Sequence, residues 1–183
     1  MEALVVVALL GIVLAIAVPN MQRARVRAHM LEQVRSLKQA AALGRIAAIR
    51  SGSTVVLAVP AGSGVTLTMW IDSGATPFQY DAGETVVEKW RIADDVSLAE
   101  ATDANYKLRP LGGSGAKGIV FRSDGVVEPN STQPYDSGYG GVELTGPRGN
   151  DLRISVFGGP GTTFVEMKGP AGVWTTDLRY WRY

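Results

Sequence analysis

The sequence EALVVVALLGIVLAIAVP, residues 2–19, decides how this chain is built. Glu2 is followed by sixteen uncharged residues and then by Pro19, and Gly11 is the only position in that run that is not aliphatic. A bilayer span needs about 20 apolar residues. The run therefore predicts a helix for an apolar environment, and an acid at the edge of such a helix is a candidate functional residue.

A basic, amphipathic helical pattern follows the apolar run. Five apolar residues recur at spacings of three, four and seven and define one face of an α-helix: Met30, Val34, Leu37, Ala41 and Ala48. Residues 40–49 are apolar almost all round, as expected where a helix enters a globular core, and the Ser-Gly-Ser sequence at 51–53 ends the pattern. We expect an interruption at Pro19, because proline lacks an N–H donor and clashes with the preceding turn.

Beyond residue 53 the sequence changes to short β-branched or alternating stretches that Gly-rich turns separate. The predicted strands are 54–59, 65–71, 84–92, 118–122, 141–145, 152–157, 162–167 and 174–181. The prediction is an α+β protein with three parts. An apolar helix covers 1–20, an amphipathic stem helix covers 21–52, and an antiparallel β-sheet head covers 53–183 and packs against the C-terminal half of the stem.

Length and composition limit the function classes. The chain has 183 residues, which suits one domain plus a stem, and it has no cysteine, which excludes a disulfide framework and thiol chemistry. The formal net charge is +1. Residues 1–50 hold seven Lys and Arg against two acids, whereas residues 51–183 hold eleven against fifteen acids. The stem is therefore basic and the head is net acidic.

The sequence offers little for catalysis. His29 is the only histidine, and we interpret it as a solvated residue of the stem. A zinc site would then need mostly carboxylates, which is unusual. The pair Asp94-Asp95 reads as a turn, and the sequence GGSGAKG at 112–118 lacks the Gly-Lys-Ser/Thr ending of a phosphate loop. We therefore predict no enzymatic activity, no metal site and no cofactor.

The N-terminal run resembles the first segment of type IV pilins and type II secretion pseudopilins. In those proteins a hydrophobic residue and a glutamate precede an apolar helix that a proline interrupts, and Glu2 and Pro19 match in register. The family also carries a basic leader that ends in Gly, and Phe-Thr-Leu follows this Gly. A prepilin peptidase removes the leader, and the new N-terminus is then methylated. Met1 stands where the family has the hydrophobic residue, so we expect an in-frame leader-like sequence upstream of it.

The head resembles the H-type minor pseudopilins (GspH) and their FimT- and FimU-type pilus relatives. Residues 43–57, LGRIAAIRSGSTVVL, look like the passage from the helix to the first strand. Residues 118–125, GIVFRSDG, resemble an internal turn of that family, and residues 152–159, LRISVFGG, resemble its late strand. The family often ends the late strand with Gly-Arg, whereas here Gly159 is followed by Pro160.

The resemblance implies a structural subunit. It would sit in the bacterial inner membrane by its stem, with a periplasmic head, and then join the initiating tip complex of a type II secretion pseudopilus or a type IV pilus. The implied partners are other pilins or pseudopilins through the N-terminal helix, and the assembly platform. The glutamate would pair with the N-terminal amine of a neighbouring subunit, so the candidate assembly residues are Glu2, Gly11 and Pro19.

The N-terminal run has two other interpretations. The first is a secretory signal peptide cleaved after Ala15-Ile16-Ala17, but signal peptides begin with a positively charged region and this run begins with an acid. The second is a helix buried in a globular core. It is disfavoured because the sixteen apolar residues lack periodicity and a polar helix follows them.

DNA binding is the main alternative function. The tail DLRYWRY at 177–183 interleaves Arg179 and Arg182 with aromatic residues that include Trp181 and Tyr183. That combination suits phosphate contacts with base stacking, and some FimT-type minor pilins bind DNA through basic residues near the C-terminus. The competing interpretation is a final amphipathic strand, and the acidic head disfavours DNA.

Overall fold

One long helix leads into a β-rich head. The computed structural model describes residues 2–112, 116–130, 138–147, 151–169 and 171–176, and in the first part of the helix it describes side chains at 11, 15, 17, 18, 21, 22 and from 24 onward. The helix, α1, spans Glu2–Ser51, and Gly52 in the left-handed conformation (φ 65°) follows it. Every strand pairing in the described part is antiparallel, which confirms the predicted α+β class.

The described strands form two sheets. They are β1 Thr54–Ala58, β2 Gly62–Ser63, β3 Thr66–Asp72, β4 Val86–Arg91, β5 Ser97–Glu100, β6 Arg109–Pro110, β7 Lys117–Phe121, β8 Val127–Glu128, β9 Tyr139–Thr145, β10 Asp151–Phe157, β11 Thr163–Lys168 and β12 Trp174–Thr175, with a 3-10 turn at Ala104–Tyr106. Sheet 1 has the order β4-β3-β1-β7-β6, with β8 also paired to β7. Sheet 2 has the order β12-β11-β10-β9-β5-β2.

The predicted strands coincide with the longer strands of both sheets. The short strands β2, β5, β6 and β8 were not predicted, because two to four residues are too few to display an alternating pattern. Residues 62–63 were predicted as part of a turn, yet they pair with Leu98 and Ser97 of β5. Of the strand predicted at 174–181, only Trp174–Thr175 is a described strand, and residues 177–181 lie outside the described part.

The stem helix packs between the two sheets. It contacts β1, β3 and β7 of sheet 1 and β10 and β11 of sheet 2. The predicted helical face is confirmed, because Met30, Val34, Leu37, Ala41 and Ala48 are all buried. They share one core with the inward residues of both sheets, among them Leu57, Leu67, Phe121, Leu144 and Ile154.

The expected interruption at Pro19 was wrong. Helix α1 continues through this position without a break. Proline removes one N–H donor from a helix, and a long helix continues through it when the turns on both sides keep their bonds. The boundary between an apolar helix at 1–20 and a stem helix at 21–52 is therefore a change in composition within one continuous element.

Sheet 1 also buries apolar residues on the face that points away from the helix. Val56, Trp70, Leu111 and Val120 form this second cluster, and Ala58 and Phe78 pack against it. The connection between β3 and β4 supplies Phe78 and therefore covers part of this outer face. Sheet 1 is thus apolar on both faces, and its outer face carries the cleft described below.

Candidate functional site

The first half of α1 is not covered by the head. Among the described side chains, Gly11, Ala15, Ala17, Val18 and Met21 are exposed. Val18 is 49% exposed and Met21 is 54% exposed, and Met30 is the first buried residue among the helix side chains that the structure describes. Exposed apolar residues in a row on one element mark a surface for other apolar partners.

The predicted assembly residues lie on this uncovered part of the helix. The backbone of Glu2 begins α1, and Pro19 lies within it. A Cβ added at Gly11 would meet no atom of this chain within 4 Å, so nothing in the head requires glycine there. In the part of the chain that the structure describes, no helix is long and apolar enough to span a membrane.

Polar contacts of Arg45 and His29 join the stem to the head. Arg45 donates from Nε to the carbonyl of Gly125 at 2.9 Å and from Nη1 to the carbonyl of Pro160 at 2.7 Å. Near the other end of the covered part, His29 Nδ1 lies 3.4 Å from Asp95 Oδ2. His29 is still partly solvated, with 37% of its side chain exposed, and it also contacts the head, because the helix packs against the head from this turn onward.

A cleft lies on the outer face of sheet 1. Its volume is about 430 Å³, within the range of small-ligand sites. The lining residues come from three strands and two connections: Ala58, Thr68, Trp70, Phe78, Gln79, Tyr80, Lys89, Leu111, Gly112 and Ala116. The Trp70 and Tyr80 rings meet edge to face at 5.6 Å, and the guanidinium of Arg109 lies 4.6 Å from the Phe78 ring centroid. Three of these ten lining residues are aromatic, and we call this site the aromatic cleft.

Buried hydrogen bonds hold the wall of this cleft. The Glu84 carboxylate accepts N–H bonds from Ser73, Gly74 and Asp81 at 2.7, 2.8 and 2.9 Å. Asp72 Oδ2 accepts the N–H of Phe78 at 3.1 Å. Phe78 has φ 61°, which is a strained conformation for a bulky residue. The surrounding bonds fix this conformation and hold the aromatic ring over the sheet.

The two carboxyl groups of the wall have opposite pKa shifts. Burial by itself raises the pKa of Glu84, but the three backbone donors outweigh it and the pKa is lowered overall. Burial raises the pKa of Asp72, and the nearby Glu84 and Asp81 charges add to this against the single bond from Phe78. Glu84 therefore stabilises the wall as a carboxylate, whereas Asp72 is the group whose charge is disfavoured.

The outer face of sheet 2 holds a buried arginine. Arg153 is 3% exposed, and its Nε donates to Glu166 Oε2 at 2.8 Å. Its guanidinium lies between two rings, 4.0 Å from the centroid of Tyr106 and 4.6 Å from that of Trp174. This clamp fixes β12, the strand that precedes the tail.

The predicted DNA-binding residues Arg179, Trp181, Arg182 and Tyr183 lie outside the described residues. The sequence motifs considered for catalysis are separated in the described part of the chain. Asp94 pairs with Arg91 at 2.9 Å, Asp95 faces His29, and Lys117 pairs with Glu100 on sheet 2. Across the described ranges, no group of three or more His, Cys, Asp or Glu residues could hold a metal ion.

The cleft and the hydrogen bonds of Arg45 to the head were not predicted from the sequence. One signal for the cleft was present, because Trp70, Phe78 and Tyr80 fall within eleven residues around a turn-rich stretch. Arg45 carried no comparable signal, since a basic residue on an exposed helix face is ordinary. Its role depends on carbonyl groups that come from residues 125 and 160.

The comparisons with known proteins support one family. The family model for the type II transport protein GspH matches residues 33–159. No curated protein and no solved structure matches the chain. The matched segment begins in the buried part of α1 and covers most of both sheets, and it contains the passage from helix to first strand, the internal turn and the late strand. The chain belongs to the GspH family, a family of structural, non-enzymatic pseudopilins of type II secretion.

Proposed function

We propose that this chain is a minor pilin or pseudopilin that enters the initiating tip complex of a type II secretion pseudopilus or a type IV pilus. Before assembly, its apolar helix anchors it in the inner membrane with the head on the periplasmic side, after leader removal and N-terminal methylation. During assembly the helix transfers from lipid to the filament core. There it contacts other pilins or pseudopilins, and the head faces outward.

The uncovered half of α1 is the observation that carries this proposal. Residues 2–29 precede the first buried residue among the described side chains, and the exposed ones include Val18 and Met21. A surface helix normally turns its apolar face to its own core. Here the apolar part projects from the head instead, so a partner outside this chain must cover it.

Glu2 is the residue that we propose sets the register between subunits. A carboxylate in an apolar core needs a partner charge, because removing one member of a buried pair costs about 3–5 kcal/mol. The N-terminal amine of a neighbouring subunit would supply that charge. In this arrangement each subunit offers one anion and one cation, which fixes the axial offset between successive helices.

The test is incorporation of Glu2→Ala into filaments, measured in sheared surface or periplasmic filament fractions. We expect the variant to be made and folded but absent from filaments. Glu32→Ala is the matched control, since Glu32 is an exposed acid on the same helix, and it should be incorporated normally. Normal incorporation of Glu2→Ala, with unchanged thermal unfolding of the head, would defeat the proposed role.

DNA binding by the tail is the alternative function. The interleaved Arg and aromatic residues of the tail favour it, and the excess of acids in residues 51–183 disfavours it. A gel shift with residues 25–183 at low salt tests whether the tail binds DNA. If the tail binds DNA, Arg179→Glu with Arg182→Glu abolishes a salt-dependent shift, whereas the absence of any shift at low salt removes this alternative.

A further inference from the structure

The aromatic cleft has features that folding of the head does not explain. Trp70 is 3% exposed, and its Nε1 is buried without a hydrogen-bond partner in the described part of the chain. Buried indole N–H groups normally have a partner. Phe78 is held at φ 61° in the wall, and strain of this kind collects at ligand clamps. Phe78 is therefore a candidate clamp residue of the cleft.

The cleft adjoins a free sheet edge. Strand β4 ends sheet 1, because it pairs with β3 and with no other described strand. Thr68 of β3 and Lys89 of β4 are directly paired, and both side chains line the cleft. The Lys89 amide donates to the exposed Glu88 carboxylate at 3.3 Å. The Lys89 N–H therefore points to the free edge, and a further strand would use it by displacing the Glu88 carboxylate.

The positive charge of the cleft determines which kind of side chain an added strand would favour. Lys89 is the only charged side chain among the described lining residues, and no described acid forms an ion pair with it. On an added strand, alternate side chains would fall on the cleft face. An acid on that strand, directly opposite Lys89, would be favoured.

We propose that the free edge of β4 and the aromatic cleft together bind an extended, acidic peptide segment of another protein. The segment adds a strand to sheet 1 beside β4. It places one aromatic or aliphatic side chain in the cleft and, two residues away, a carboxylate beside Lys89. This inference does not depend on filament assembly, because it concerns the head alone.

The probe is the capped hexapeptide acetyl-Thr-Phe-Thr-Glu-Thr-Ser-amide, titrated into the full chain in detergent micelles and followed by ¹H–¹⁵N NMR. We expect saturable shifts of the Trp70 indole N–H and of the β4 amides. Two comparison peptides carry Lys in place of Glu, or N-methyl groups on the amides that face β4. Both should bind at least about fivefold more weakly, because the first reverses the charge pair and the second removes the strand bonds.

The variant Lys89→Glu tests the charge in the protein. It should weaken the acidic peptide about fivefold and favour the lysine peptide instead. Lys38→Glu is the matched control, since Lys38 is an exposed lysine on the stem, and it should change neither affinity. The proposal is overturned if neither peptide binds, if the shifts fall away from Trp70 and β4, if peptide charge makes no difference, or if the N-methylated peptide binds equally well.

Discussion

Gly44 allows a close approach of the stem to Phe121 of sheet 1. A Cβ at this position would lie 2.5–2.8 Å from three ring carbons of Phe121, whose side chain is fully buried. The ring cannot move into solvent, so glycine at this point of the helix is a packing requirement. Its cost is about 1 kcal/mol of helix propensity relative to alanine.

We expect Gly44→Ala to destabilise the head despite the better helix propensity of alanine. Overpacking in a dense core costs about 1–3 kcal/mol, against about 1 kcal/mol gained from propensity. Chemical denaturation should therefore give a net loss of up to about 2 kcal/mol. In a Phe121→Leu background the same substitution should cost less, and equal costs in the two backgrounds would contradict the packing explanation.

Glu84 and Asp72 should make opposite contributions to the pH dependence of stability. The folded pKa of Glu84 is lowered from 4.5, so its contribution is present above that value and is lost as pH falls through the folded pKa. The folded pKa of Asp72 is raised from 3.8, so its contribution is present below that value and is lost as pH rises through the folded pKa.

The measurement is denaturation of Glu84→Gln and Asp72→Asn between pH 3 and pH 7. Glu84→Gln should lower the free energy of unfolding by about 1–3 kcal/mol at pH 7, because the charged acceptor of three N–H groups is removed. This difference from the wild type should shrink towards pH 3. The free energy of unfolding of Asp72→Asn should increase relative to that of the wild type as pH rises. A Glu84→Gln deficit that does not depend on pH would rule out the charged form as the stabilising species.

At the scale of elements, the stem helix is joined to the head by its apolar face and by Arg45. This side chain reaches carbonyl groups on two separate connections of the head, one between β7 and β8 and one between β10 and β11. The first connection belongs to sheet 1 and the second to sheet 2. Arg45 therefore holds the two sheets together across the end of the helix.

Replacing Arg45 by Met should destabilise the head by about 1–3 kcal/mol, since two carbonyl groups lose a charged donor while the aliphatic contact is kept. Arg35→Met is the matched control on an exposed position of the same helix, and it should change stability by less than about 0.5 kcal/mol. Thermal and chemical unfolding measure both. Equal effects for the two variants would show that the contacts of Arg45 contribute nothing.

The elements differ in how far the sequence predicts them. The buried face of α1 and the longer strands follow from periodicity, because each has enough residues to display its pattern. The short strands and the cleft depend on contacts between distant segments, such as Lys89 beside Thr68 and Leu111 beside Trp70. The continuity of α1 at Pro19 was mispredicted, because local chemistry gives proline a tendency to kink and does not decide whether the helix ends.

For the whole molecule, the head should fold without the first half of the stem. A fragment of residues 25–183 keeps Met30, every later buried residue and the His29–Asp95 contact. Its thermal midpoint should lie within about 4 °C of that of the full chain in detergent, which corresponds to less than about 1 kcal/mol. A fragment of residues 45–183 lacks Met30, Val34, Leu37, Ala40 and Ala41 and should not fold. A fully folded 45–183 fragment would contradict the assignment of these residues to the core.

The packing of one helix between two sheets has a mechanical consequence. The helix extends about 42 Å from Glu2 to Met30, the first of its described side chains that is buried, at 1.5 Å per residue. A force along the helix axis acts on the buried turns in shear. The contacts of Met30, Leu37 and Ala48 therefore resist the force together and do not break one after another. Tension applied at the N-terminus in a force spectrometer should therefore rupture the head in one abrupt event, and displacing the subunit sideways should need far less force.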